Sequence, residues 1–187
     1  MMKINGWLLV DKPKGMSSRK VVDLISNALS IRKVGHAGTL DPMASGLLPI
    51  AIGEATKTIG VVQKFKKRYE FTIKWGEKTS TDDKMGVTIS TSGKRPSLNN
   101  INENIKKFVG KIKQTPPNFS AIKVNGKRAY KLARNNEKFT LNERIVFIET
   151  FKIKKYLDED HCSFECICSK GTYIRSLGRD LGDVMKC

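Results

Sequence analysis

The sequence lacks any apolar run long enough to cross a membrane. Its longest runs, such as residues 47–52 with Pro49 inside, are far shorter than the roughly 20 residues that a membrane-spanning helix needs. The opening residues 1–6 lack the hydrophobic region of a secretory signal peptide. We therefore expect a cytoplasmic protein that makes no membrane contact.

The usual motifs of nucleotide-dependent and hydrolytic enzymes are also missing. The chain has no G-x-x-x-x-G-K-[ST] phosphate loop, no G-x-G-x-x-G fingerprint and no G-x-S-x-G nucleophile turn. It holds two histidines and four cysteines. Because Cys162, Cys166 and Cys168 share one parity and lack paired C-x-x-C spacing, they are predicted to be core thiols on one face of a strand rather than metal ligands. We expect neither a metal nor any other cofactor.

Acidic charge is scarce in this chain. The 18 Asp and Glu face 35 Lys and Arg, which gives a formal net charge of +17. Eleven of these cations lie between residues 106 and 144, together with only two acids. A surplus of this kind favours a polyanionic partner, and nucleic acid is the first choice. A merely solvated basic surface is the alternative interpretation, but it explains the clustering less well.

Hydrophobic periodicity predicts several hairpins and scattered helices. Strands are expected at 7–10, 47–52, 69–75, 87–91, 145–156 and 162–169. Helices are expected from Ser17 or Ser18 to Leu29 and at 54–63, 98–109, 128–135 and 172–185. Segments 35–46 and 76–86 are predicted to be irregular, and the basic stretch after residue 110 to be mobile until a partner orders it. The mixture indicates an α+β fold built on a largely antiparallel mixed sheet that is flanked by helices and loops.

Residues 35–46, GHAGTLDPMASG, place an aspartate among three glycines and a proline. Pro42 biases the backbone of Asp41 towards extended geometry, and the glycines let another backbone or a ligand come close. A carboxylate held in this way can act as a nucleophile if a cation keeps it ionised. An aspartate before proline is also a common turn former, so these residues alone favour a structural role over a catalytic one.

The same segment closely resembles the catalytic motif of the bacterial tRNA pseudouridine synthases of the TruB family. Four further blocks resemble that family in the same order, namely LVDKPKGMSS at 9–18, KRY at 67–69, PPNFSAIKVNGKRAY at 116–130 and GTYIRSL at 171–177. The resemblance implies the pseudouridine synthase fold, with residues 1–187 as its catalytic domain and residues 111–144, approximately, as a thumb-like RNA-binding insertion. Family members usually continue with more catalytic sequence and often a PUA domain, so we expect the C-terminal part of the family architecture to be absent from this sequence.

The resemblance also implies an activity. Members of this family isomerise uridine to pseudouridine in the T-loop of tRNA, at position 55 in tRNA numbering, after the base has been flipped out. Asp41 is then implied to be the nucleophile, and attack at C6 of the base or at C1′ of the ribose both stay open. Tyr69 matches the tyrosine that lies against the flipped base, and Arg175 matches the arginine paired with the catalytic carboxylate. On residue chemistry alone, Tyr69 suits a core position and Arg175 a surface position at a helix start.

Further residues are implied to bind the substrate. His36 matches the histidine that enters the T-loop and helps to displace the target base, for which an imidazole can stack and hydrogen-bond; a loop-structuring histidine is the alternative. Lys12 matches a lysine that braces the catalytic loop and supports the site electrostatically, and it is counted with the substrate-binding residues. The other predicted substrate contacts are Tyr173, Lys123, Lys127 and Arg128.

We expect a monomer that binds the T-arm of tRNA without an obligate protein partner. A non-catalytic tRNA-binding protein or tRNA folding chaperone is the alternative function, since gripping the T-arm and extruding a base do not require turnover. The related guide-RNA-dependent synthases of archaea and eukaryotes are a third possibility, which predicts inactivity on free tRNA. The chain length and the bacterial-type motif spellings disfavour this third possibility.

Overall fold

The computed structural model describes residues 4–187, which form two compact units. The first unit ends at Phe65, and the second is Lys66–Cys187. Within residues 4–187, no helix is both long and apolar enough to span a bilayer. The prediction of one catalytic domain over residues 1–187 stays a prediction.

The first unit is a small antiparallel sheet with one principal helix. Its elements are β1 (Gly6–Lys12), α1 (Ser18–Leu29), β2 (Val34–His36), β3 (Gly46–Ile52), a 3-10 helix (Gly53–Thr58) and α2 (Ile59–Val62). The strand order is β1-β3-β2, so β3 is central. Apolar residues of α1 and β3 form the core of this unit, namely Val21, Val22, Leu48, Ile50 and Ile52. The sheet thereby fixes the two ends of the segment that contains Asp41.

Helix α1 begins where the sequence predicts. Ser17 has extended geometry, and its hydroxyl accepts a hydrogen bond from the backbone N–H of Lys20. The helix ends at Leu29 because Ser30 adopts the left-handed conformation. The N-terminus of α1 therefore follows directly after the turn that contains Lys14 and Gly15.

The second unit is built on a four-stranded antiparallel sheet. Its elements are β4 (Lys67–Lys74), β5 (Glu77–Thr79), β6 (Thr88–Thr91), α3 (Leu98–Ile105) with a following 3-10 turn (Lys106–Phe108), β7 (Gly110–Gln114), β8 (Lys123–Val124), β9 (Lys127–Arg128), α4 (Ala129–Arg134), β10 (Arg144–Tyr156), β11 (His161–Cys168) and α5 (Ile174–Met185). The main sheet has the order β4-β11-β10-β7, and β5-β6 and β8-β9 are separate hairpins.

One face of the main sheet packs against α3 and α5. The core joins Phe151 and Phe164 of the sheet to Ile101 of α3 and to Leu177 and Leu181 of α5. The three cysteines of β11 point into this core and are fully buried, which confirms their prediction as core thiols. Every strand pairing in residues 4–187 is antiparallel, and the α+β class is confirmed.

Five short strands, β2, β5, β7, β8 and β9, lie in segments where the sequence pattern predicts none, and two of them, β2 and β7, flank predicted functional segments. Val34–His36 pairs with Ile50–Ile52, so the first residues of the irregular segment 35–46 belong to a sheet. Gly110–Gln114 pairs with Arg144–Ile148, so residues 111–114 of the predicted insertion are part of the main sheet. Both strands are too short for their period to be decisive, and their backbone partners are distant in sequence.

Candidate functional site

The loop of residues 37–45, which joins β2 to β3, is pinned on both sides of Asp41. The hydroxyl of Ser18 donates to the carbonyl of Leu40 at 3.0 Å and accepts from the Leu40 N–H at 2.9 Å. On the other side, the N–H of Gly15 donates to the carbonyl of Pro42 at 2.7 Å. The residues before and after Asp41 are thus both anchored, which leaves its carboxylate on a backbone with little freedom.

The anchoring turn depends on a glycine and on the start of α1. Gly15 has a φ of +85°, a conformation that a residue with a Cβ rarely adopts. Ser18 is buried in the first turn of α1, so the same helix start that Ser17 caps also holds the Asp41 loop. Local turn chemistry in residues 13–18 therefore determines where Asp41 lies within the first unit.

Lys12 braces this loop from inside the unit. The side chain is fully buried, and its ammonium donates to the carbonyls of Pro13 at 2.9 Å, Met16 at 2.7 Å and Ala44 at 2.5 Å. Burial lowers the pKa of the Lys12 ammonium, and the nearby charge of Asp41 opposes that shift. An ammonium has three N–H donors, and carbonyl groups accept from all three. The Lys12 ammonium is therefore not exposed to make the predicted contact with substrate. Its hydrogen bonds brace the Asp41 loop instead.

His36 lies at the end of β2, where it pairs with Ile50 of β3. Its side chain is half-buried, and among the described residues its Nδ1 atom is buried without a hydrogen-bond partner. Because β2 pairs with β3, the backbone of His36 is fixed at the point where the Asp41 loop begins. Its entry into the T-loop stays a prediction.

An open concavity of about 580 Å³ borders the loop at Pro42. Its lining includes Lys14, within the turn that anchors Pro42, and Lys20 of α1. The two lysines among these lining residues suit the phosphates of a nucleic acid.

The second unit contains the predicted Tyr69, Tyr173 and Arg175. Tyr69 lies on β4 opposite Cys166 of β11 and packs, half-buried, against the core. Tyr173 precedes α5, and the buried side-chain amide of Gln114 holds its backbone at both polar atoms, accepting from the N–H at 2.8 Å and donating to the carbonyl at 3.1 Å. The start of α5 is therefore tied to the end of β7.

Arg175 lies in the first turn of α5, and groups from two other segments help to hold its guanidinium. It donates to the carbonyls of Thr81 at 3.0 Å and Phe119 at 3.1 Å, and its Nη1 atom lies 3.7 Å from the Oδ2 atom of Asp83. Asp83 escaped the sequence-based prediction, although two adjacent acids in a turn of such a basic chain were an available signal. The expected pairing of Arg175 with Asp41 involves residues of different units and stays a prediction.

The three predicted basic contacts lie together on one hairpin. Lys123 is directly opposite Arg128, and the turn between them, Asn125-Gly126, has a positive φ at both residues, as type I′ hairpins require. Lys127 pairs with Glu137 at 3.4 Å, and Arg128 donates to the carbonyl of Ala121. All three side chains are exposed, so the hairpin presents a basic edge to solvent.

Comparison with known proteins gives a consistent result. Residues 26–174 match the family model described as TruB family pseudouridylate synthase (N terminal domain). The chain is 52% identical over 184 residues to tRNA pseudouridine synthase B of Bartonella henselae, and 52% identical over 186 residues to the protein of that name from Wolbachia pipientis. In each case the similarity covers 98% of this chain. It spans only 58% and 52% of those relatives, so the chain matches little more than half of their length.

Solved structures agree on the fold. A crystal structure of a Cbf5-Nop10-Gar1 complex matches with a TM-score of 0.70 at 25% identity, over 97% of this chain and 44% of the other. A structure of an H/ACA RNP bound to a substrate RNA containing 2′-deoxyuridine matches with a TM-score of 0.68 at 24% identity, over 96% and 42%. This chain therefore shares its fold with a chain in each of these two complexes.

Proposed function

This chain belongs to the TruB family of pseudouridylate synthases, and from that membership we propose that it isomerises uridine to pseudouridine in tRNA. The name tRNA pseudouridine synthase B, which the relatives at about half sequence identity carry, supports the proposal. The reaction leaves the composition of the nucleotide unchanged. The N1–C1′ bond breaks, a C5–C1′ bond forms, and a proton leaves C5 while N1 gains one.

The pinned position of Asp41 is the observation that carries the proposed mechanism. A covalent route needs a carboxylate that stays in place while the detached uracil rotates. Hydrogen bonds at Leu40 and Pro42 restrain the backbone on both sides of Asp41. In attack at C6, the carboxylate adds to the base, the glycosidic bond breaks, and the bond between C6 and Asp41 breaks after C5 has joined C1′. In attack at C1′, the carboxylate displaces the uracil from C1′, and C5 then displaces the carboxylate as the C5–C1′ bond forms. Attack at C6 and attack at C1′ both fit this balance.

We assign supporting roles in the same reaction to Tyr69 and Arg175. A guanidinium suits the neighbourhood of a working carboxylate because it carries a fixed charge and does not give up its proton. The two backbone carbonyls and Asp83 hold Arg175 in one orientation, which is what a preorganised electrostatic role requires. Tyr69 offers an aromatic face at the edge of the core and a hydroxyl that can exchange a proton.

The T-loop of tRNA is the proposed target, at position 55. A uridine stacked in an RNA loop hides its C1′ and C5 atoms, so the enzyme must extrude it at a cost of a few kcal/mol. Phosphate contacts from the basic hairpin at Lys123, Lys127 and Arg128 would offset that cost. His36 is proposed to occupy the space that the base leaves. We also propose a cytoplasmic monomer, as the sequence predicts.

A tRNA-binding protein without turnover is the second candidate, because the basic hairpin supports gripping as well as catalysis. The two functions differ in whether C5 loses its hydrogen. Incubation of the purified chain with T-arm RNA labelled with tritium at C5 of uridine should release tritium into water. An anticodon arm of equal length and label should release none, and a T-arm with cytidine at position 55 should lose only background label.

The outcome distinguishes an isomerase, a binding protein without turnover and a guide-dependent synthase. Tritium release from the T-arm with no added protein or guide RNA supports the isomerase. Tight binding of the T-arm without release would support the binding protein, and release only after addition of partner proteins and a guide RNA would support a guide-dependent synthase.

A further inference from the structure

Two consecutive aspartates face two arginines that lie one helical turn apart. Arg175 and Arg179 occupy positions i and i+4 of α5, so they share one face of the helix. Asp82 and Asp83 lie in the loop of residues 80–86 between β5 and β6, which we call the Asp82–Asp83 loop. Asp82 meets Arg179 with an Nη1–Oδ2 distance of 2.8 Å, whereas Asp83 and Arg175 are 3.7 Å apart. The Asp82–Arg179 ion pair is therefore shorter than the Asp83–Arg175 ion pair.

Both pairs are shielded from water. The exposed fractions of the side chains are 11% for Asp82 and 17% for Arg179, against 10% and 12% for Asp83 and Arg175. Burial raises the pKa of the Asp82 carboxyl, and the Arg179 guanidinium opposes that shift. Because shielded charges interact more strongly than exposed ones, the loss of either partner would be felt by the other.

Asp82 is a point at which the Asp82–Asp83 loop is tied to α5. This residue has a φ of +56°, a left-handed conformation that aspartate tolerates better than most residues with a Cβ. Asp83 is secured locally, because its Oδ1 atom accepts hydrogen bonds from the Thr81 hydroxyl at 2.6 Å and the Met85 N–H at 2.9 Å. The carboxylate of Asp82 instead reaches out of the loop to α5.

Arg179 joins three parts of the second unit through one guanidinium. Besides Asp82, its Nη2 atom donates to the carbonyl of Thr115 at 2.8 Å, just after β7, and its Nε atom donates to Asp180 at 2.9 Å. Ser176, on the same helix, donates to the same Thr115 carbonyl. A lysine could supply a charge here but not three directed donors, since its ammonium is a point charge on a flexible stem.

Three consecutive loop residues contact the two arginines of α5. Thr81 offers its carbonyl to Arg175, Asp82 binds Arg179, and Asp83 faces Arg175. Because neighbouring Cα atoms are only about 3.8 Å apart, a shift at Asp82 must move Thr81 and Asp83 as well. We propose that Asp82 and Arg179 form a positioning pair that holds the Asp82–Asp83 loop against α5 and thereby sets the orientation of Arg175; its effect on turnover rests on the proposed function.

The test compares Asp82→Asn, Arg179→Lys and the double variant with Asp23→Asn. Asp23 forms an exposed i,i+4 pair with Arg19 on α1, so it controls for loss of an ion pair elsewhere. Single-turnover conversion at saturating T-arm RNA should fall about tenfold in each single variant, with an RNA dissociation constant within about twofold of wild type. The double variant should be no slower than the singles, because the two residues act as one unit.

A further variant separates positioning from general loosening of the fold. In an Asp83→Asn background, Asp82→Asn should cause no more than a small additional loss of rate, since its effect passes through the loop contacts to Arg175. Wild-type turnover in Asp82→Asn, or losses that multiply fully in the Asp83→Asn background, would overturn the proposal.

A measurement without RNA keeps the proposal independent of the activity. Amide hydrogen exchange of residues 80–86 should accelerate at least about tenfold in Arg179→Lys and stay at wild-type rates in Asp23→Asn. If wild-type protein releases no tritium from any RNA, the proposed function fails while accelerated exchange still supports the positioning pair. Unchanged exchange in the loop contradicts the pair whatever the activity.

Discussion

At the residue scale, the buried ammonium of Lys12 stabilises the backbone around it through hydrogen bonds. Three carbonyls surround its ammonium, and one of them belongs to the Asp41 loop. The charge itself is costly to bury, as the lowered pKa indicates, so its retention makes sense only if the three hydrogen bonds matter. The turn at residues 13–16 and the loop at Ala44 would otherwise face each other with unpaired carbonyls.

Replacement of Lys12 by Met should therefore destabilise the first unit. Methionine keeps most of the volume but leaves buried acceptors without donors, for which we expect a loss of about 2 kcal/mol in the free energy of unfolding. In a chain of this length, that loss lowers the melting temperature by about 4–8 °C. Lys14→Met, in the same turn but exposed, should melt within about 1 °C of wild type, a shift small on the same scale. Equal melting of Lys12→Met and wild type would contradict the bracing role.

At the element scale, we expect the β8-β9 hairpin to make a measurable contribution to RNA affinity. Removing three exposed cations that contact phosphates should reduce the slope of log binding constant against log salt concentration by about two. We expect this for the combined Ala variant of Lys123, Lys127 and Arg128, measured by titration of T-arm RNA at several salt concentrations. The matched control replaces Lys64, Lys94 and Lys155, which are exposed and lie outside residues 111–144. An equal reduction in both variants would mean that only net charge matters.

The contact between Glu54 and its two lysines provides a pH-dependent element. Hydrogen bonds from Lys33 and Lys57 lower the pKa of the Glu54 carboxyl to about 2. A folded-state pKa below the unfolded value of about 4.3 means that the stabilisation is complete above that value and disappears as pH falls towards 2. Glu54→Gln should therefore melt slightly below wild type at pH 7 and together with it at pH 2. Because the group is exposed, high salt should shrink the difference at pH 7. A larger difference at pH 2 than at pH 7 would contradict this account.

Elements were predictable in proportion to their length and periodicity. The alternation of β4, the helical spacing of α1 and the capping role of Ser17 are visible in the sequence, and the structure confirms them. Strand β7 was missed because Lys111 and Lys113 flank a single apolar Ile112, a pattern equally typical of a solvated loop. Its strand character comes from backbone pairing with β10, more than thirty residues later.

At the scale of the whole molecule, the predictable part of the site is the part that lies within motifs. Asp41, Tyr69 and Arg175 were predicted because each belongs to a contiguous block that resembles the family. Asp82 and Arg179 were not, because their contact joins residues 97 positions apart and exists only once β5, β6 and α5 have assembled. Lys12 was identified but given a substrate contact, since a motif does not reveal which side chains the fold encloses.

The four thiols offer a test of the assembled core. Burial raises the pKa of Cys162 to about 11, and Cys166 and Cys168 are equally enclosed, whereas Cys187 is only partly buried. A thiol reagent such as 5,5′-dithiobis(2-nitrobenzoic acid) at pH 8 should react rapidly with no more than one thiol of the folded chain, and with all four in denaturant. Cys187→Ser should abolish the rapid phase. Rapid reaction of two or more thiols in folded protein would contradict the described core.

The central claim is that the pinned carboxylate of Asp41 performs the chemistry, and single-turnover conversion of T-arm RNA by Asp41→Asn tests it most directly. With RNA binding and melting temperature measured alongside, the account predicts wild-type affinity and a rate reduced at least about a thousandfold, because the amide is a poor nucleophile. Asp23→Asn should convert the RNA at the wild-type rate. A folded Asp41→Asn protein that forms pseudouridine at a rate close to wild type would contradict the account.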